Sequence, residues 1–213
     1  MATRRRLLLS AKAGQLFIHV LAEPAICYTS HKMIKDSDDL IAELLTHLDT
    51  DPGREGLRDT PQRYKKFLDE FLNPEAPKIT IFDSEGYDEM VLQTKIPFYS
   101  ICEHHLLPFF GYGSIAYIPD QKIIGLSKLA RILDHTSRRL QNQERITTQV
   151  AEFLQEAIKP KGVGVVLEAR HLCMEMRGIK KPEALTTTSA VRGIFKSDPR
   201  TRAEFIELVK AGQ

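Results

Sequence analysis

With 213 residues, 42% of them hydrophobic and 27% charged, the chain has the make-up of a soluble globular protein large enough to bury a real core. A formal net charge of +2 gives no argument for nucleic acid, and no apolar run reaches the length of a membrane-spanning helix. Three cysteines, Cys27, Cys102 and Cys173, are too few and too odd for a disulfide framework, which points to a reducing, cytoplasmic setting where thiols stay free for metal or chemistry.

The first 33 residues read as a leader. Arg4-Arg5-Arg6 before Leu7-Leu8-Leu9 has the look of a secretory start, but Lys12 and His19 interrupt the apolar stretch and no small-residue cleavage site follows. An organelle transit segment shares the Arg-rich, acid-poor character. The plainer expectation is a disordered extension, or a start codon upstream of Met33.

Two helices are expected over 34–76. Leu40, Ile41, Leu44, Leu45 and Leu48 recur at helical spacing. Thr60-Pro61 supplies an N-cap and a first-turn proline for a second stripe, Tyr64, Phe67, Leu68, Phe71 and Leu72. Strand-like runs follow at 78–82, 90–95, 97–101 and 113–118. One helix then starts near Ser127 and another after Asn142, the latter stopped by Pro160 and Gly162. Residues 163–176 read as one long strand, and Asp198-Pro199 opens a final helix. This order of elements predicts an α+β domain over 77–213 behind the helical region, not a doubly wound sheet.

The chemistry concentrates in two places. Cys102 and His105 are three apart, so a thiolate and an imidazole from one turn can reach the same ion, and Cys173 offers a second sulfur. On a strand, His171, Cys173, Glu175 and Arg177 would share one face. Two thiolates and one imidazole suit zinc, and three protein ligands leave a fourth position for water, the pattern of a catalytic rather than a structural site.

These residues stand among others. Ser100-Ile101-Cys102-Glu103-His104-His105, Ala116-Tyr117-Ile118-Pro119, residues 124–131 (IGLSKLAR), Gln143-Glu144-Arg145, His171-Leu172-Cys173-Met174, Arg177-Gly178-Ile179 and Thr186-Thr187-Thr188-Ser189 follow the order and spacing of type I GTP cyclohydrolases. The chain resembles that family from roughly residue 40 to 209. The resemblance implies zinc on Cys102, His105 and Cys173, with His104 and His171 as proton-transfer groups. It implies a tunnelling fold, a four-stranded antiparallel sheet carrying two helices with further helices at the N-terminus. It also implies a homodecamer with active sites between subunits, acting on GTP and on no nucleic acid or membrane.

Each further residue then takes a chemical role. A carboxylate at Glu144 matches the paired N1–H and amino donors of guanine, which adenine lacks, and Gln143 adds an amide. Ser127, Lys128 and Arg131 cluster at a helix start, where backbone N–H groups and cations converge on phosphate. Arg177 also reaches toward phosphate, and the resemblance implies that Arg63 and Lys66, three apart on the second helix, complete a neighbouring subunit's pocket. Either His171 or His104 can protonate guanine N7, with His171 preferred. A non-catalytic zinc-stabilised binding protein would need neither the histidine pair nor Glu144. A nitrile reductase of the same fold would use a cysteine nucleophile and a nicotinamide instead of zinc.

Overall fold

A computed structural model describes residues 36–212, together with the backbone of two antiparallel strands, β1 (Leu7–Lys12) and β2 (Gln15–Val20). The expectation for residues 1–33 lies outside the described residues, that hairpin apart. The described chain forms two compact units divided at Pro74 and Glu75.

The first unit holds α1 (Ser37–Leu48) and α2 (Thr60–Leu72). Asp36 caps α1 by accepting from the Asp38 N–H. The cap of α2 is Asp59 rather than the expected Thr60, which is itself the first helical residue.

In the second unit a five-stranded sheet runs β7-β4-β5-β8-β9. Its long members are β4 (Val91–Cys102), β5 (Pro108–Ile118), β8 (Gly162–His171) and β9 (Leu185–Gly193), successive pairs of which are antiparallel. The expected four-stranded antiparallel sheet is therefore incomplete. A fifth strand, β7 (Leu140–Gln141), joins β4 in parallel and makes the sheet mixed. Two residues are too few to show any period in a sequence. A separate two-stranded ribbon pairs β3 (Ile81–Asp83) with β6 (Lys122–Ile124).

The runs at 90–95 and 97–101 turn out to be one strand. A register shift between Gln93 and Ile96 absorbs the irregularity, and Pro97 pairs with Tyr112 on one side only, because β7 meets β4 no earlier than Ile101. Proline is tolerated where no ladder donor is needed.

Alternation along the strands feeds two cores. Ile115, Val165 and Leu167 pack with Leu129, Ile132 and Leu133 of α3 (Leu126–Ser137) and with Ile146, Val150 and Leu154 of α4 (Gln143–Ile158). Their neighbours Ala116 and Val166 face the other way, against Phe195 of α6 (Ile194–Ser197) and Phe205 and Val209 of α7 (Pro199–Ala211). With both faces covered, β8 reads as a nearly unbroken apolar run.

That run conceals where β8 ends. The strand stops at His171, and Leu172–Glu175 forms a single helical turn, α5. The expectation of a strand to residue 176 is overturned, and with it the argument that His171, Cys173, Glu175 and Arg177 share a strand face. A bidentate ion pair holds the turn against the strand: Arg170 Nε and Nη2 donate to the two Glu175 oxygens at 2.8 and 2.7 Å.

Candidate active site

Cys102 is the last residue of β4, and a tight turn returns the chain into β5. The Leu107 carbonyl accepts from the Cys102 N–H at 2.9 Å, and the Cys102 carbonyl accepts from the His105 and Leu106 N–H groups at 3.3 and 2.9 Å. Leu106 takes up a left-handed conformation, φ 54°, to close the turn. This reversal brings His105 Nδ1 to 3.7 Å from Cys102 Sγ. Cys173 arrives from α5, and the ligand atoms of Cys102, His105 and Cys173 all lie within 4.8 Å of one another. They form the one such group of three among the described residues, with no fourth cysteine, histidine or carboxylate in it.

The donor set suits zinc. Tetrahedral bonds of about 2.3 Å to sulfur and about 2.0 Å to nitrogen place donor atoms roughly 3.5–3.8 Å apart, which is the spacing of Cys102 and His105. Burial and the adjacent Cys102 sulfur push the Cys173 thiol above its ordinary range. Two neighbouring thiolates are thus unfavourable alone, and a dication held by both would reverse that preference.

His104 stands on the same turn, exposed, with Nδ1 3.8 Å from Cys102 Sγ and Nε2 3.9 Å from a Glu103 oxygen. His171 is held far more firmly. It pairs with Phe109 across the β5–β8 ladder, and the two rings stack with centroids 4.6 Å apart and planes 5° from parallel. Its Nε2 lies 2.8 Å from Gln143 Oε1.

The orientation of that amide follows from its other partners. Gln143 Nε2 faces the Leu167 carbonyl at 3.0 Å, the Thr186 carbonyl at 2.8 Å and Thr188 Oγ1 at 3.1 Å. Carbonyls only accept, so the NH₂ end must point at them and Oε1 must accept from His171. His171 Nε2 therefore carries a hydrogen, and in the neutral ring Nδ1 holds the lone pair. Burial pushes the imidazole below its ordinary value, against the opposing charges of Glu144 and Glu175. The expectation that Gln143 contacts substrate meets a residue that is 1% exposed, its amide already occupied by protein partners.

Glu144, by contrast, is exposed on the first turn of α4, one residue beyond Gln143 and close enough for its charge to act on His171. Asn142 caps this helix, its Oδ1 accepting from the Arg145 N–H at 2.8 Å. Arg177 follows α5 and is exposed, and its charge favours the Cys173 thiolate. On α3 the cap is Gly125 rather than Ser127, so Ser127, Lys128 and Arg131 occupy the first two turns. The hydrogen bonds of the metal cluster do not extend to them among the described residues. Arg63 belongs to α2 of the other unit, where Nη2 donates to the Gly56 carbonyl at 3.0 Å and to Thr60 Oγ1 at 3.2 Å; Lys66 is exposed on the same helix.

Three neighbours were not anticipated: Phe109 stacked on His171, and Glu103 paired with Arg145. Both charged residues lie inside motifs read from the sequence, but pairing between residues 42 apart leaves no local pattern.

A family model described as GTP cyclohydrolase I matches residues 37–210. The chain belongs to that family. GTP cyclohydrolase 1 of Aquifex aeolicus (strain VF5) is 55% identical over 161 residues, spanning 75% of this chain and 88% of that one. The Sulfurihydrogenibium sp. (strain YO3AOP1) enzyme of the same name is 52% identical, over 76% of this chain and 87% of its own. That of Deinococcus radiodurans is 52% identical, over 80% and 82%. Among solved structures, an apo archaeosine synthase QueF-like protein aligns with 49% of this chain and 93% of its own, at a TM-score of 0.41 and 16% identity. The Cys102–His105–Cys173 cluster is consistent with the zinc site of a GTP cyclohydrolase I.

Proposed function

We propose that this chain converts GTP and water to formate and 7,8-dihydroneopterin triphosphate, the first step toward tetrahydrofolate and other reduced pterins. The observation that carries the reading is the convergence of Cys102, His105 and Cys173 within 4.8 Å beside a buried His171 whose ring is fixed by Gln143. When bound by these three side chains, zinc supplies Lewis acidity that ionises water near neutral pH, and so a nucleophile for guanine C8.

The protein's own groups do the rest. His171, neutral at rest with Nε2–H committed to Gln143, exchanges its catalytic proton at Nδ1. In the protonated form it donates to guanine N7 as C8 is attacked, which avoids building charge on the purine. His104, exposed on the metal-binding turn, serves the later proton transfers of C–N cleavage, formate release and ribose rearrangement. Glu144 accepts from N1–H and the exocyclic amine and so admits guanine over adenine. Ser127, Lys128, Arg131 and Arg177 hold the triphosphate by charge and hydrogen bonds.

Further features belong to the same reading: a tunnelling fold, a cytoplasmic location, and a homodecamer in which Arg63 and Lys66 of one subunit complete the pocket of the next. Incubating zinc-replete protein with GTP is expected to release formate and generate the pterin chromophore, with ATP untouched. A zinc-loaded sample that yields neither product from GTP would overturn the assignment.

A further inference from the structure

The guanine ring is rigid, and in the function proposed above its reacting carbon C8 and its recognised N1 and amino edge lie at opposite ends. Attack is therefore productive only if two separate elements keep a fixed spacing: the β4–β5 turn that carries Cys102 and His105, and the first turn of α4 that carries Glu144. These elements are 39 or more residues apart in sequence, and the structure ties them together at one place.

Glu103, the residue after Cys102, faces Arg145, the residue after Glu144. Arg145 Nη1 donates to Glu103 Oε2 at 2.6 Å and Nη2 donates to Oε1 at 2.9 Å, a two-pronged pair. Asn142 Nδ2 donates to the same Oε1 at 3.2 Å while its Oδ1 caps α4. The Glu103 N–H donates to the Gln141 carbonyl at 3.0 Å, and Arg145 Nη1 also reaches Gln141 Oε1 at 3.2 Å. Strand β7, with Cys102 registered opposite Gln141, continues the same seam into the backbone.

Stability alone is a poor reason for this arrangement. The two side chains are 29% and 42% exposed, so solvent screens much of their attraction even in this two-pronged geometry. Orientation is the better reason, since misplacing a reacting group by about 1 Å costs roughly 10²-fold in rate. We propose that Glu103 and Arg145 act as a positioning pair, a strut that sets the metal-binding turn at the working distance from the guanine-recognising turn of α4. Neither is a catalytic residue; each acts through Cys102, His105 and Glu144. The proposal rests on the GTP reading, and the fifth strand gains a purpose by it.

The test uses Glu103→Gln, Arg145→Met and the double variant in the full chain. It compares kcat and KM for GTP, zinc per chain, melting temperature, and amide hydrogen exchange over 102–107 and 142–146. Each single variant is expected to lose about 10- to 100-fold in kcat, with KM within about threefold and with zinc content and melting nearly unchanged. The double variant should be no worse than the poorer single, because either change removes the same strut. Exchange in both segments should accelerate while the β5–β8 ladder stays as in the parent protein. Singles that keep kcat within about twofold, losses that multiply in the double variant, or loss of zinc would each overturn the proposal. If the parent protein itself releases no formate, the functional reading fails instead. Unaltered exchange in the variants would still sink the strut.

Discussion

Gln143→Met keeps the length of the side chain and removes both polar ends from a site that is 1% exposed. Water cannot replace what is lost there. Thr188 Oγ1 keeps a partner in Thr147 Oγ1 at 2.6 Å, so its share is small. The Leu167 and Thr186 carbonyls each lose one donor but have a second lone pair, whereas His171 Nε2–H loses its acceptor outright. An unmet buried group costs roughly 1–3 kcal/mol, so the sum is about 2–5 kcal/mol, weighted toward the histidine. In a chain of this length that lowers Tm by about 4–20 °C, at roughly 2–4 °C per kcal/mol. The ring is also released from its tautomer, and acid–base help of about 10²–10⁴-fold is at stake in turnover. Thermal unfolding followed by circular dichroism and formate release from GTP measure the two effects separately. A variant that melts lower yet keeps kcat within about twofold of the parent would refute the claim that Gln143 sets His171 for proton transfer.

His171→Ala is expected to retain one zinc per chain and lose about 10²–10⁴-fold in kcat; loss of the metal, measured by elemental analysis, would make His171 a ligand instead. Glu144→Ala should weaken GTP binding and reduce the preference over ATP, because the carboxylate matches two donors that adenine lacks; unchanged GTP affinity by calorimetry would remove Glu144 from base recognition. The Arg170 guanidinium holds the Glu175 carboxyl below its ordinary value of 4.5. The stability this pair contributes is complete above that value and is lost as pH falls through the lowered one. Urea midpoints of Glu175→Gln should thus lie below the parent's at pH 7 and converge with them in stronger acid, whereas a constant gap would contradict the assignment.

The Cys102–His105–Cys173 cluster was legible because sulfur is scarce here: of three cysteines, two stand in motifs with histidines, and the family resemblance joins them as one donor set. The helices α1, α3, α4 and α7 were equally readable from apolar spacing, with Asn142 and Asp198 marking two of their starts. The end of β8 was not. Val163 through Leu167 are buried from both sides, so apolar character carries no period there, and the turn at Leu172 is fixed by a pairing of Arg170 with Glu175 that spacing alone does not announce. Gln143 illustrates a deeper limit. Its position at a helix start suggests an exposed polar group, but β8 and β9 supply the carbonyls that consume its amide, and their placement is a property of the sheet. The runs at 90–95 and 97–101 read as separate because the register shift between Gln93 and Ile96 hides their continuity from the apolar pattern.

The central claim is that two sulfurs and one imidazole nitrogen bind a cation with a position to spare. Anomalous diffraction at the zinc edge from crystals grown with zinc tests it most directly. The account predicts one peak about 2.3 Å from Cys102 Sγ and Cys173 Sγ and about 2.0–2.1 Å from a His105 ring nitrogen, with solvent as the remaining ligand. A fourth protein side chain on the ion, or no peak between these residues at full zinc supply, would contradict it.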